Sequence, residues 1–161
     1  MISVAVLTIS DKGSRGERED TSGPLISDML IPAGANVNYY EIIPDEKELI
    51  KEKLLEFSGK VDLILTTGGT GLAPRDVTPD ATLEVIDKEV PGIAEIMRSE
   101  GFKKTGRAIL SRAVAGVKGK TLIINLPGSP KAVKEGLGIL LDVIPHAVEK
   151  LKGDPTECAG S

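Results

Sequence analysis

The chain is poor in several residue types, and each scarcity removes a class of function. It has one cysteine, Cys158, so no disulfide can form within it, and a reducing compartment fits. It has one histidine, His146, too few for a His-rich zinc site. Tryptophan is absent, and Tyr39, Tyr40, Phe57 and Phe102 are its only aromatic residues, which argues against a base-stacking platform. There is no basic excess: the formal net charge is −4, where a nonspecific nucleic-acid binder needs a cationic surface to displace counterions. No apolar run approaches the ~20 residues of a membrane span. The N-terminus opens directly on a strand-like run with no basic segment and cleavage site before it. The expectation is a soluble, cytoplasmic protein with no nucleic-acid or membrane partner.

What is present is globular. Hydrophobic residues make up 40% of 161 and charged residues 27%, enough for one domain with a sizeable core. Apolar runs at 3–9 (SVAVLTI), 37–43, 61–66 (VDLILT) and 121–126 (TLIINL) read as strands buried on both faces, the pattern of a parallel sheet. Helical stripes lie between them near 23–31, 46–57, 79–88 and 91–100. This alternation predicts a three-layer α/β domain over residues 1–152, with a mostly parallel central sheet, helices on both faces and right-handed crossovers. Val133, Leu137, Leu140, Ile144, Ala147 and Leu151 predict one long final helix, kinked or broken at Pro145. Residues 115–123 read as a small β-hairpin turning at Lys118–Gly119 or Gly119–Lys120. Residues 153–161 form a polar tail, expected to fray.

Ligands of open α/β sheets bind beyond the C-terminal strand ends. Four segments fall there: Ser10 to Gly16 with Glu19 to Gly23, Pro44 to Lys47, Thr66 to Gly71 running on through Pro74 to Asp80, and Asn125 to Lys131. The Thr-Thr-Gly-Gly-Thr-Gly run offers backbone N–H groups that can close on an oxyanion without obstruction by Cβ atoms. Thr78-Pro79 and Ser129-Pro130 read as N-cap plus first helical residue, and helix starts favour phosphate. The spacing matches neither the P-loop nor the dinucleotide fingerprint. Asp20, Asp45 and Asp76 would add carboxylates beside the phosphates, a set suited to Mg²⁺. Plainer readings stand beside these. Asp45 with Glu48 makes a capping box, the glycines could serve a tight turn only, and Arg75 and Lys131 could be solvated charges. His146 reads as packing or surface, and Cys158 in a loose tail is an unconvincing nucleophile.

The run from Thr66 to Gly71 followed by Pro74-Arg-Asp-Val-Thr-Pro-Asp-Ala-Thr82 resembles the signature of the MogA/MoaB family, which includes the gephyrin G-domain. The resemblance extends to Ile9-Ser-Asp11, Glu19 to Gly23, Ile43 to Glu46, Ile109 to Arg112 and Leu126 to Lys131, in order, from about residue 3 to about 152. It implies a nucleotidyltransferase of molybdenum-cofactor biosynthesis, which joins molybdopterin to ATP with Mg²⁺ and releases adenylyl-molybdopterin and pyrophosphate. The alternative within the family is a MoaB-type molybdopterin carrier without ATP turnover. Related insertion and nucleotide-amidase domains carry other residues after the glycine loop, so the run from Pro74 to Pro79 counts against them. The resemblance also implies a homotrimer and hand-over of the product to a molybdate-inserting partner. It places the two key acids on Asp45 and Asp76, as catalytic groups or Mg²⁺ ligands. Substrate and nucleotide contacts are then expected from Asp11, Asp20, Ser22, Thr67, Gly68, Gly69, Thr70, Gly71, Arg75, Thr78, Ser111, Arg112, Pro127, Gly128, Ser129 and Lys131.

Overall fold

The structure is a computed structural model, and it describes residues 1–155. Cys158 lies outside the described residues, as does most of the polar tail.

The strands are β1 (Ile2–Ile9), β2 (Ala35–Ile43), β3 (Leu63–Thr67), β4 (Lys88–Glu89), β5 (Ala115–Lys118) and β6 (Thr121–Leu126). The helices are α1 (Asp11–Ser14), α2 (Ser22–Leu30), α3 (Lys47–Phe57), α4 (Thr78–Val85), α5 (Pro91–Phe102), α6 (Pro130–Leu140) and α7 (Val143–Leu151). A 3₁₀ turn over Gly106–Leu110 follows α5. The strands form one six-stranded sheet in the order β2-β1-β3-β6-β5-β4, in which β2, β1, β3 and β6 are parallel. β5 runs antiparallel to β6, and β4 antiparallel to β5.

Alternate strand residues point to opposite faces, so the continuous apolar runs build two cores at once. Val4, Val6, Leu63, Leu65, Leu122 and Ile124 pack with Ile26, Ile93, Val133, Leu137 and Ile144, under α2, α5, α6 and α7. Ala5, Leu7, Ile64 and Ile123 face the other way, onto Ile50, Leu54, Phe57 and Val85 of α3 and α4. Burying each such side chain contributes about 1.5–3 kcal/mol. These are the three layers expected from the alternation.

Two local expectations are corrected. The stripe at 79–88 is helical only to Val85; Ile86 is extended, and Lys88–Glu89 leave as β4 to pair with Val117 and Gly116. Gly116 permits that approach, because a Cβ there would lie 2.7 Å from the Lys88 carbonyl oxygen. The final stripe is two helices, with the break at Leu141–Asp142 rather than at Pro145. Pro145 has no N–H for the carbonyl four residues back, and its ring crowds that carbonyl, so the chain opens one turn upstream and Pro145 sits in the first turn of α7. The hairpin is as expected: Lys118 pairs with Thr121 across Gly119–Lys120, with Gly119 at φ +60°.

Candidate active site

The chain leaves β1 toward β2 on one side and leaves β3 toward β6 on the other. The crevice between the C-terminal ends of β1 and β3 is therefore the topological switch point. A cleft of about 590 Å³ opens there.

Three hydrogen bonds tie its walls. Gly68 N–H donates to the Leu126 carbonyl (3.2 Å), the Thr67 hydroxyl to the Pro127 carbonyl (2.6 Å) and the Ser22 hydroxyl to the Gly128 carbonyl (2.9 Å). The glycine loop is then forced close to its surroundings. Gly68 and Gly69 have φ +97° and +68°, left-handed values that favour glycine. A Cβ on Gly69 would lie 3.0 Å from Asp45 Oδ1, and one on Gly71 2.9 Å from Asp76 Oδ2. The two acids thus flank the same loop.

Asp45 and Asp11 clasp each other. Asp11 N–H donates to Asp45 Oδ2 (2.9 Å), and Asp45 N–H donates to Asp11 Oδ1 (3.0 Å). Arg75 closes the clasp with Nε to Asp11 Oδ2 (2.6 Å) and Nη2 to Oδ1 (3.0 Å). Its guanidinium holds the Asp11 carboxyl down at about 2. Asp45 moves the other way: burial, followed by the charges of Asp11 and Asp76, raises its pKa. Asp76 Oδ2 accepts the Ala73 N–H (3.0 Å), which closes a tight turn.

Asp20 is saturated. It accepts the N–H groups of Ser22 and Gly23 (3.1 and 3.2 Å), the Thr8 hydroxyl (2.6 Å) and the Tyr40 hydroxyl. Burial and Asp20 push the Tyr40 phenol up to about 12.

Of the site residues expected from sequence, Asp11, Asp20, Ser22, Asp45, Thr67, Gly68, Gly69, Asp76, Gly128 and Ser129 line this cleft. The others stand elsewhere. Arg75 sits at the rim on Asp11. Arg112 lies behind the glycine loop, donating to the carbonyls of Gly71 (3.0 Å) and Asp76 (2.5 Å) and to Asp80 (3.1 Å), while its own N–H donates to the Thr70 carbonyl (2.8 Å). Thr70 and Gly71 are held by that clamp and do not line the cleft. Ser111 and Pro127 line a second cavity of about 360 Å³, beside α5 and α6. Lys131 is exposed and lines neither cavity.

Two capping expectations are corrected. Asp45 does not cap α3: the cap position is Glu46, and the Asp45 carboxylate is turned to Asp11 instead. Thr78 is not the cap of α4 but its first residue, after Val77. It is fully buried, its N–H donates to the Gly69 carbonyl (3.1 Å), and its hydroxyl has no partner among the described residues. Ser129 does cap α6, accepting the Ala132 N–H (3.2 Å).

Lys12, Gly13, Arg18, Glu19, Thr21 and Pro130 also line the cleft and were not among the expected site residues. Their signal was position alone, within or beside the polar loops after β1 and β6.

The chain resembles known proteins over nearly its whole length. Residues 5–147 match the family model described as a probable molybdopterin binding domain. The molybdopterin adenylyltransferase of Helicobacter pylori (strain ATCC 700392 / 26695) is 44% identical over 157 residues, covering 95% of this chain and 89% of that protein. The molybdenum cofactor synthesis protein cinnamon of Drosophila melanogaster is also 44% identical, over 95% of this chain, which spans only 26% of that longer protein. The crystal structure of the molybdopterin biosynthesis enzyme MoaB from Thermus thermophilus superposes with a TM-score of 0.90 at 53% identity, covering 98% of this chain and 100% of that one. The match to the family model and these similarities, each over nearly all of this chain, leave one assignment: the chain belongs to the probable molybdopterin-binding domain family.

Proposed function

We propose that this chain is a molybdopterin adenylyltransferase, transferring AMP from ATP to the terminal phosphate of molybdopterin. The observation that carries the reading is the pairing of Asp45 and Asp76 across one glycine loop, inside a cleft at the sheet's switch point. The 44% identity to the Helicobacter pylori adenylyltransferase, over 89% of its length, supports it.

The reaction is a displacement at phosphorus. A pterin phosphate oxygen attacks the α-phosphorus of ATP, the bond from α-phosphorus to the bridging oxygen breaks, and pyrophosphate leaves with that electron pair. The attacking phosphate is already an anion, so the chain's task is to position and to neutralise. The N–H groups of Gly69 and Ser129 have no partner among the described residues and stand at the cleft wall, free to donate to phosphate oxygens. The clasp with Asp11 fixes the rotamer of Asp45, and the Ala73 N–H fixes Asp76.

The donor set fits Mg²⁺. Each of the two acids keeps a carboxylate oxygen without a hydrogen bond from the described residues, and Mg²⁺ takes one or two carboxylates with water and phosphate oxygens completing its shell. Among the described residues no group of three or more acids, histidines or cysteines is arranged to hold a metal ion, in this cleft or elsewhere, so water and phosphate oxygens would have to complete the shell. Bound by Asp45 and Asp76, Mg²⁺ would supply charge neutralisation to the phosphates.

The finer parts of the proposal are a homotrimer, hand-over of the product to a molybdate-inserting partner, and action in the cytoplasm. Exposed Phe102, Ile109 and Leu110 on α5 and the following turn support self-association, and the number three rests on the family resemblance. No described helix is long and apolar enough to cross a membrane.

The test is incubation with molybdopterin, ATP and Mg²⁺. Adenylylated pterin and pyrophosphate in equal amounts are expected. Pterin binding with no pyrophosphate released would mark a carrier and reject the enzymatic reading.

A further inference from the structure

Among the described residues the cleft is lined by five carboxylates, Asp11, Glu19, Asp20, Asp45 and Asp76, and by two cations, Lys12 and Arg18. Both proposed substrates are anionic, so the placement of the cations decides where the most concentrated negative charge can lie.

The other arginines near this end of the sheet are already occupied by the chain itself. Arg15 forms a bidentate pair with Glu17 (3.0 and 3.1 Å), and Arg75 with Asp11. Arg112 is bound to Asp80 and to two loop carbonyls. Lys12 and Arg18 differ: among the described residues neither side chain forms an ion pair or a hydrogen bond. The backbone from Ser10 to Glu17, which carries Lys12 and leads into Arg18, is nevertheless held. Gly13 N–H donates to Ser10 Oγ (3.0 Å), Ser14 N–H to the Ser10 carbonyl (2.9 Å), Arg15 N–H to the Asp11 carbonyl (3.2 Å) and Glu17 N–H to the Lys12 carbonyl (2.9 Å). Two cations without an ion pair thus stand on the segment after β1, Lys12 within its braced part and Arg18 just past it; Asp11 of the same segment is clasped to Asp45, and Asp76 flanks the glycine loop.

We infer that Lys12 and Arg18 hold the polyphosphate tail of the nucleotide, the part that leaves as pyrophosphate. The assignment rests on the adenylyltransferase reading, which supplies the nucleotide. That tail carries the highest charge density of either substrate, and among the described residues lining the cleft only these two are cations, neither held in an ion pair. The pterin phosphate and the α-phosphate then lie nearer the glycine loop and Asp76.

The test is calorimetric titration of the full chain with ATP, inorganic pyrophosphate and AMP, Mg²⁺ present, on wild type, Lys12→Ala, Arg18→Ala and the double variant. Lys60→Ala, at the opposite end of the sheet, controls for net charge, and thermal melts check folding. Each cleft substitution is expected to weaken ATP and pyrophosphate about tenfold, the scale of one exposed charge-assisted contact, with AMP within about twofold. Lys12→Arg, which keeps the charge, should restore most of the lost affinity. Unchanged affinity for ATP and pyrophosphate in both alanine variants overturns the inference, as does an equal loss for AMP. Wild type that binds neither ATP nor pyrophosphate overturns it too. If wild type binds pyrophosphate through Lys12 and Arg18 but forms no adenylylated pterin, the cationic wall stands and the proposed reaction fails.

Discussion

Replacing Gly69 by alanine should damage both stability and turnover, and the structure separates two causes. The first is backbone strain. Gly69 sits at φ +68°, where an L-residue costs about 1–2 kcal/mol relative to glycine. The second is overlap: the new Cβ meets the Thr78 hydroxyl and lies 3.0 Å from Asp45 Oδ1. Thr78 is fully buried, so it has little room to retreat, and overpacking of that kind costs about 1–3 kcal/mol. Gly59→Ala isolates the first cause, because Gly59 has φ +87° with nothing within 4 Å of a new Cβ. Both substitutions restrict the unfolded chain equally, so that effect cancels between them. The expected loss is about 1 kcal/mol for Gly59→Ala and about 3 kcal/mol for Gly69→Ala. In a domain of this size each kcal/mol moves the melting temperature by about 3 °C, so the two variants should differ by about 6 °C. Melts by circular dichroism measure this. Adenylylation by Gly69→Ala should fall about a hundredfold, because the Cβ displaces a carboxylate the reaction depends on. Equal melting temperatures for the two variants would refute the steric argument, and near-wild-type turnover would refute the placement of Asp45 at the reacting phosphates.

The remaining predictions are shorter. Asp76→Asn keeps the shape of the turn but removes the charge; turnover should drop about a hundredfold or more with the melting temperature within a few degrees of wild type. Asp11 has a folded pKa of about 2 against 3.8 for the free carboxyl, so its pairing with Arg75 stabilises the fold above pH 3.8 and is lost as the pH falls toward 2. Arg75→Gln should therefore lower the melting temperature at pH 7, and the gap to wild type should close in melts taken between pH 4 and 2. Asn125→Ala removes two bonds donated to the Thr66 and Thr82 hydroxyls (3.0 Å each) and the acceptor for Val114 N–H (3.2 Å), all among buried groups. It should cost about 2–4 kcal/mol in denaturant unfolding. A loss under 1 kcal/mol would mean that water replaces the amide.

The layers were legible because strand runs such as 3–9 and 121–126 are apolar at nearly every position, which only a sheet covered on both faces can bury. β4 was not legible. Its two residues, Lys88 and Glu89, are exposed, too short to show alternation, and paired only because Gly116 lets a backbone approach. The break before α7 was misplaced for a related reason. The apolar stripe runs through Leu141 unchanged, and the effect of a proline falls on the carbonyl four residues earlier, not on the proline itself.

The site was legible in location and less so in direction. Glycine, threonine and aspartate after four parallel strands mark the rim where ligands bind, and ten of the expected residues do converge on one cleft. What sequence could not show is which partner each charged side chain takes, because those partners come from other loops. Asp45 reads as an N-cap from its neighbours, yet its carboxylate binds the Asp11 N–H, 34 residues away. Arg112 reads as a pocket cation, yet it clamps the back of the glycine loop through Gly71, Asp76 and Asp80. In each case a tertiary bond outcompetes the local one. A charged group already committed to a partner must break that contact before it meets a substrate, at a cost of the same order as the new contact's gain. Ligand-binding cations in such a site should therefore be sought among those the fold leaves without ion pairs, a test that needs the tertiary structure: Arg15, Arg75 and Arg112 fail it, and Lys12 and Arg18, the two cations of the described residues lining this cleft, pass it.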